Sequence, residues 1–187
     1  MVRLVLFLLF ALAFMSVALA VKSCSNDMPD PAPGPVGNPA GVVALSDGST
    51  MIAQPGSVGR DLVDWLARGD PGRKKFELGG QEFVGRTAVP TAESLGRTSR
   101  LIAMLRANPD VDVTIVGHTD PSDDAAADRS LGLARANALS RLLRDGHIAA
   151  GRISVESRGS SDPIAPNGTV EGRARNQRVT LYLSRDR

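Results

Sequence analysis

Asp120 and Arg135 stand fifteen residues apart, the first closing a Gly117-His118-Thr119-Asp120 segment and the second inside a stretch with helical spacing. A carboxylate and a guanidinium held a few ångströms apart on a rigid frame can receive the ammonium and the carboxylate of one zwitterionic centre. Arginine suits the second task because its planar fork binds both oxygens of a carboxylate, which lysine does less well. The same residues have a plainer use, with Asp120 capping the loop that follows and Arg135 on the surface or paired with Asp120. Charge and spacing alone favour the plainer use. Nearby, Thr119 is a hydrogen-bond donor for a ligand or a loop cap. Asp128 is a second anion if it faces the pocket, or a helix-surface acid beside Arg129 or Arg135. Arg178 either meets a ligand carboxylate or glycan, or braces the Asp120 loop. His118, Asp120 and Asp123 can be drawn as a metal site, but a histidine before Thr-Asp fits loop packing better, and neither a metal nor a cofactor is expected.

The elements that position these groups follow from periodicity. Val111, Val113 and Ile115 alternate with Asp112 and Thr114, as in a half-buried strand that runs into the Gly117–Asp120 segment. A helix from about Asp124 to Arg144 follows, with Leu131, Ala134, Ala138 and Leu142 as its expected inward stripe and Asp145-Gly146 as its stop. In such a strand–loop–helix unit the strand end and the helix start lie side by side, a common ligand position in α/β folds. Upstream, Lys74–Leu78 reads as a strand, and Pro90-Thr91 opens a helix whose Leu95, Ile102 and Leu105 share a face until Asn108-Pro109. Downstream come a strand at Ile153 and Val155, a Gly/Pro/Asn-rich loop from Arg158 to Thr169, a short helix near Val170–Arg175, and a terminal strand with Val179, Leu181 and Leu183 alternating. This order implies an α/β two-layer sandwich, a small mixed β-sheet with helices packed on one face.

Gly117-His118-Thr119-Asp120, then Leu131, Arg135 and Ala136, then Glu171-Gly172-Arg173-Ala174-Arg175-Asn176-Gln177-Arg178-Val179 resemble the peptidoglycan-binding domain of the OmpA family, over roughly the last 115 residues. The resemblance implies that Asp120 and Arg135 hold the diaminopimelate of the cell-wall stem peptide, with Thr119, Asp128 and Arg178 as further binding candidates. Against the family pattern, Asp128 stands where Asn is usual, Gly132 where Ser is usual, and Gln177 where Arg is frequent. Arg173 and Asn176 are expected to fix the entry of the last strand. The function so implied is non-catalytic binding of peptidoglycan, tethering a membrane or envelope component to the wall. The alternative is an envelope protein-interaction module with weak or no wall binding.

Composition narrows the rest. With 22 Lys+Arg against 20 Asp+Glu the chain is nearly neutral, so it lacks the positive stripe that indiscriminate nucleic-acid binding needs. Cys24 is the single cysteine, which excludes an intramolecular disulfide. No Gly-x-Ser-x-Gly elbow, P-loop, Gly-x-Gly-x-x-Gly or HExxH is present, so no hydrolase is expected. Residues 1–21 are apolar except Arg3 and Ser16, and read as a signal peptide or an N-terminal membrane anchor. Ala18-Leu19-Ala20 suits cleavage, Lys22 suits an uncleaved span, and Cys24 suits lipidation. Each ending implies export to the cell envelope, facing the periplasm, with the outer membrane favoured over the inner and envelope proteins as candidate partners. Residues 22–40 form a Pro/Gly-rich linker, 41–72 an extension with a short hairpin and an amphipathic helix through Val58, Leu62, Trp65 and Leu66, and 73–187 the OmpA-like domain.

Overall fold

A computed structural model of the protein describes residues 41–78 and 81–185. The leader, with its three possible endings, and the linker lie outside the described residues. The elements are β1 (Val42–Ala44), β2 (Thr50–Ile52), α1 (Val58–Arg68), β3 (Gly72–Glu77), α2 (Ala92–Ala107), β4 (Asp112–His118), α3 (Ala125–Asp145), a 3-10 turn (Ala150–Arg152), β5 (Ile153–Gly159), α4 (Val170–Asn176) and β6 (Val179–Arg185). Among the described residues no helix is long and apolar enough to cross a membrane.

The expected sandwich is present. Four strands form a mixed sheet in the order β3-β6-β4-β5, with β6 antiparallel to both its neighbours and β4 parallel to β5. Helices pack on this sheet over a core of Val113, Ile115, Val179, Leu181, Leu183, Leu101, Leu105, Leu139 and Leu143, each nearly or fully buried. Burial of each such side chain contributes roughly 1.5–3 kcal/mol. On β5 the alternation is clean. Ser154, Glu156 and Arg158 face solvent while Ile153 and Val155 turn toward the core.

Helix ends follow local chemistry. Ser57, Thr91, Asp124 and Thr169 are N-caps whose side chains accept backbone N–H groups of the first turn. Gly69 closes α1 in the left-handed conformation with φ 67°, which glycine adopts without steric cost. Arg68-Gly69-Asp70 is part of that stop, with Arg68 Nε 2.9 Å from Asp70 Oδ2.

The inward faces of the two long helices differ from the sequence expectation. On α2 the buried line is Ser94, Thr98, Leu101, Met104 and Leu105, while Leu95 is 43% exposed. Thr98 tolerates this position because its hydroxyl donates to the Ser94 carbonyl at 2.8 Å. On α3 the buried line is Asp128, Gly132, Arg135, Ala136, Leu139 and Leu143. Ala138 is buried as expected, but Leu131 and Leu142 are only half-buried and Ala134 is exposed. The cause is Gly132, whose bare backbone lies directly on Gly117 of β4: a Cβ on Gly117 would stand 1.8 Å from the Gly132 carbonyl oxygen. With that approach in place, Asp128 and Arg135 share the inward face of α3 with Ala136, Leu139 and Leu143.

Residues 41–72 share the same core. β1 and β2 form the expected hairpin, and Leu62, Val63, Trp65 and Leu66 of α1 are buried with Phe76 and Leu101. Trp65 meets Phe76 edge-on at 6.2 Å. Arg185, at the end of β6, lies over the Trp65 ring at 5.2 Å and donates to the Leu66 carbonyl at 3.1 Å.

Candidate functional site

The five candidate residues lie just past the end of β4 (Thr119, Asp120), in the first turn and the middle of α3 (Asp128, Arg135) and just before β6 (Arg178). His118 makes the last pair of β4 with β5, opposite Gly159, and Thr119 and Asp120 carry the chain past it; all three are buried. The Thr119 N–H donates to the Gly159 carbonyl at 2.9 Å, while its hydroxyl is buried without a hydrogen-bond partner among the described residues. The loop after Asp120 is held by Asp128, which accepts from the Ser122 N–H at 2.9 Å and the Ser122 hydroxyl at 2.7 Å. Burial raises the Asp128 pKa, but hydrogen bonds from Ser122, Ser160 and Arg86 outweigh it and hold the carboxyl at about 2. Asp128 is therefore an anion near neutral pH.

Arg135 is fully buried, yet it is not paired as a surface salt bridge would be. Its Nε donates to the Thr87 carbonyl (2.9 Å), Nη1 to the His118 carbonyl (3.1 Å), and Nη2 to the Gly85 carbonyl (3.0 Å) and Gln177 Oε1 (2.8 Å). The guanidinium also lies 5.0 Å from the Phe83 ring centroid. Burial lowers its pKa to about 10, with the charge of Asp120 acting in the opposite direction, so it stays cationic near neutral pH. Gln177, where the family pattern has Arg, thus supplies an acceptor rather than a repelling cation.

Asp120 pairs with Arg86, which sequence analysis did not single out. Arg86 Nη1 lies 2.5 Å from Asp120 Oδ1, and Nη2 lies 2.9 Å from Asp128 Oδ1. Arg86 comes from the exposed segment before α2, and a lone arginine between Gly85 and Thr87 carries no local signal distinguishing it from a solvated one. Only its position 34 residues before Asp120 in sequence, closed by the fold, brings the pair together.

Arg178 is bonded as a brace. Nε donates to Glu77 Oε2 at 3.0 Å, Nη1 to the Asp162 carbonyl at 3.2 Å, and its own carbonyl accepts from the His118 N–H at 2.9 Å. Asn176 ties down the 158–169 loop by accepting from Ile164 and Ala165 N–H and donating to Ala165 and Asn167. His118 Nε2 is 3.1 Å from Thr180 Oγ1, and burial, aided by Arg178, lowers its pKa to about 4. Glu82, whose Oε2 accepts the Val179 N–H at 2.7 Å, is pushed up to about 8 by burial. These groups form a mostly buried polar belt beneath the site, linking β3, β4 and β6.

Asp120 past the end of β4, Asp128 and Arg135 on α3, and Gln177 and Arg178 just before β6 gather charged and polar side chains at one end of the two central strands of the mixed sheet. Residues 85–177 match the model of the OmpA family, so this stretch of the chain is an OmpA-like domain. It is 33% identical over 96 residues to the sodium-type flagellar protein MotY of Vibrio parahaemolyticus, covering 51% of this chain and 33% of that protein. It is 36% identical over 86 residues to the peptidoglycan-binding protein ArfA of Mycobacterium tuberculosis, covering 46% and 26%. The chain thus spans about a quarter to a third of the length of these curated relatives. Among solved structures, it resembles the cell wall anchor of the T6SS from Pseudomonas aeruginosa with a TM-score of 0.55 and 27% identity, covering 69% of this chain and 97% of that one. The periplasmic domain of Helicobacter pylori MotB shares the fold, with a TM-score of 0.56 at 22% identity over 62% and 78% of the two chains.

Proposed function

We propose that this protein is a non-catalytic anchor that binds cell-wall peptidoglycan through the diaminopimelate of the stem peptide. Asp120 takes the ammonium and Arg135 the carboxylate of that zwitterionic centre, with Thr119 as an accessory donor. Asp128 and Arg178 hold the walls of the site in place. The observation that carries this is the Arg135 guanidinium, buried yet still charged near neutral pH within a frame of backbone carbonyls beside the Asp120 end of β4. Such a frame costs desolvation energy that a mere surface arginine would avoid. The wall-binding and wall-anchoring names of two relatives support the same reading. We place the domain in the periplasm, attached through residues 1–21 or Cys24 to a membrane, the outer one favoured.

The test is co-sedimentation of the protein with purified diaminopimelate-type sacculi. Binding above that of an unrelated control, lost in Asp120→Ala, is the expected result. Recovery equal to the control overturns it, and release of soluble muropeptides would replace a binder with a hydrolase.

A further inference from the structure

Arg86 occupies the anionic half of the site. Its guanidinium spans two carboxylates, Asp120 and Asp128, and its Nη1 also reaches the Asp120 carbonyl at 3.3 Å. An incoming ammonium directed at Asp120 meets a cation already seated there. The residues on either side of Arg86 cover the other half. The Gly85 and Thr87 carbonyls accept from Arg135, so both charges of the receptor are matched from within while this segment is in place.

The segment is built as a unit. Val84 N–H donates to the Val89 carbonyl, the Thr87 hydroxyl to the Val84 carbonyl, and Val89 N–H to the Thr87 hydroxyl, which closes residues 84–89 into a small loop. Val84, Gly85, Arg86, Thr87 and Val89 are exposed, and the apolar anchor is Phe83 just before them. The loop's grip on the body near Asp120 and Arg135 therefore runs mainly through polar bonds. An amino-acid zwitterion can replace these in kind, its ammonium for the Arg86 guanidinium and its carboxylate for the loop carbonyls on Arg135.

We infer that Arg86 is a specificity-determining competitor: the 84–89 loop closes the empty site, and only a ligand carrying both an ammonium and a carboxylate on one centre displaces it. The inference rests on the zwitterion site proposed above. A ligand with one charge restores half of the lost bonds and leaves the other charged group uncovered, so the loop discriminates against simple amines and simple carboxylates. Apparent affinity is the intrinsic affinity multiplied by the fraction of protein whose site is open.

Calorimetric titration of the full chain with meso-diaminopimelate tests this. Arg86→Gln and Arg86→Ala are expected to bind about tenfold tighter or more, as when a closed state holding about nine-tenths of the population is removed, and to lose discrimination against cadaverine and glutarate. Unchanged or weaker binding in Arg86→Gln, with Asp120→Ala abolishing wild-type binding, overturns the competitor role and leaves the zwitterion site standing. No binding by any of these proteins overturns both. A measurement on the unaltered protein covers the case in which the variants fail to fold. The side-chain N–H resonances of Arg86 are expected to change from a held to a freely rotating guanidinium at saturation with meso-diaminopimelate, and their remaining held overturns the inference.

Discussion

Gly117 of β4 and Gly132 of α3 lie backbone to backbone, with no room for a single methyl group between them: a Cβ on Gly117 would approach the Gly132 carbonyl oxygen to 1.8 Å. Because β4 carries Asp120 and α3 carries Asp128 and Arg135, this contact sets the spacing of the site. Gly117→Ala is expected to force the helix off the strand and to destabilise the protein by on the order of 3 kcal/mol, the cost typical of overpacking a close contact. Thermal melting followed by circular dichroism reads this directly, and an unchanged melting temperature would contradict the contact.

Asp120→Ala and Arg135→Ala are both expected to lose wall binding, yet to differ in stability. Asp120 is buried, but the Arg86 with which it pairs is half-exposed and can turn to solvent. Removing it is expected to lower affinity tens of fold or more, as truncating one partner of a desolvated charge contact costs ~2–5 kcal/mol, with the fold intact. Arg135 is fully buried and donates to three carbonyls and Gln177. Its truncation leaves those acceptors unsatisfied, so the melting temperature is expected to fall as well. Equal melting temperatures for the two variants would show that the Arg135 frame contributes little.

The polar belt makes stability depend on pH from both sides. Glu82 is raised from 4.5 to about 8 by burial, so between those values the unfolded chain has released a proton that the folded one keeps, and stability falls as pH rises. His118 is lowered from 6.5 to about 4 by burial and Arg178, so between those values the unfolded chain takes up a proton that the folded one refuses, and stability falls as pH drops. Glu82→Gln is expected to raise the melting temperature at pH 8 relative to its effect at pH 5. His118→Gln is expected to flatten the slope between pH 6.5 and 4. A Glu82→Gln shift identical at pH 5 and pH 8 would show that the carboxyl is not held protonated.

The extension at 41–72 is expected to be required for full stability of the sheet domain. Trp65 packs on Phe76, and Arg185 bonds both the Leu66 carbonyl and Asp110. A fragment of residues 73–187 retains all four strands of the mixed sheet but loses Leu62, Val63, Trp65 and Leu66 from its core, and is expected to melt well below a fragment of residues 41–187. Coincident melting curves would make the extension an ornament on a self-sufficient domain.

Local sequence determined the elements of this protein, because strands, caps and stops depend on neighbours a few residues away. Alternation at Val111, Val113 and Ile115 announced β4. Thr91 and Asp124 marked helix starts through oxygens that reach N–H groups two or three residues on, and Gly69 marked a stop through a backbone angle that needs no partner. The charged pair was also visible, since Asp120 and Arg135 flank one strand–loop–helix unit. Tertiary structure decided which faces of α2 and α3 turn inward, because the inward face of α3 follows the glycine contact with β4 rather than the nearest run of leucines. It also decided that Arg135 is enclosed by Gly85 and Thr87, and that Asp120 meets Arg86, contacts separated by 50, 48 and 34 residues. A guanidinium is long enough to choose among several carboxylates and carbonyls. Only the path of the 84–89 loop through space determines which ones lie within its reach.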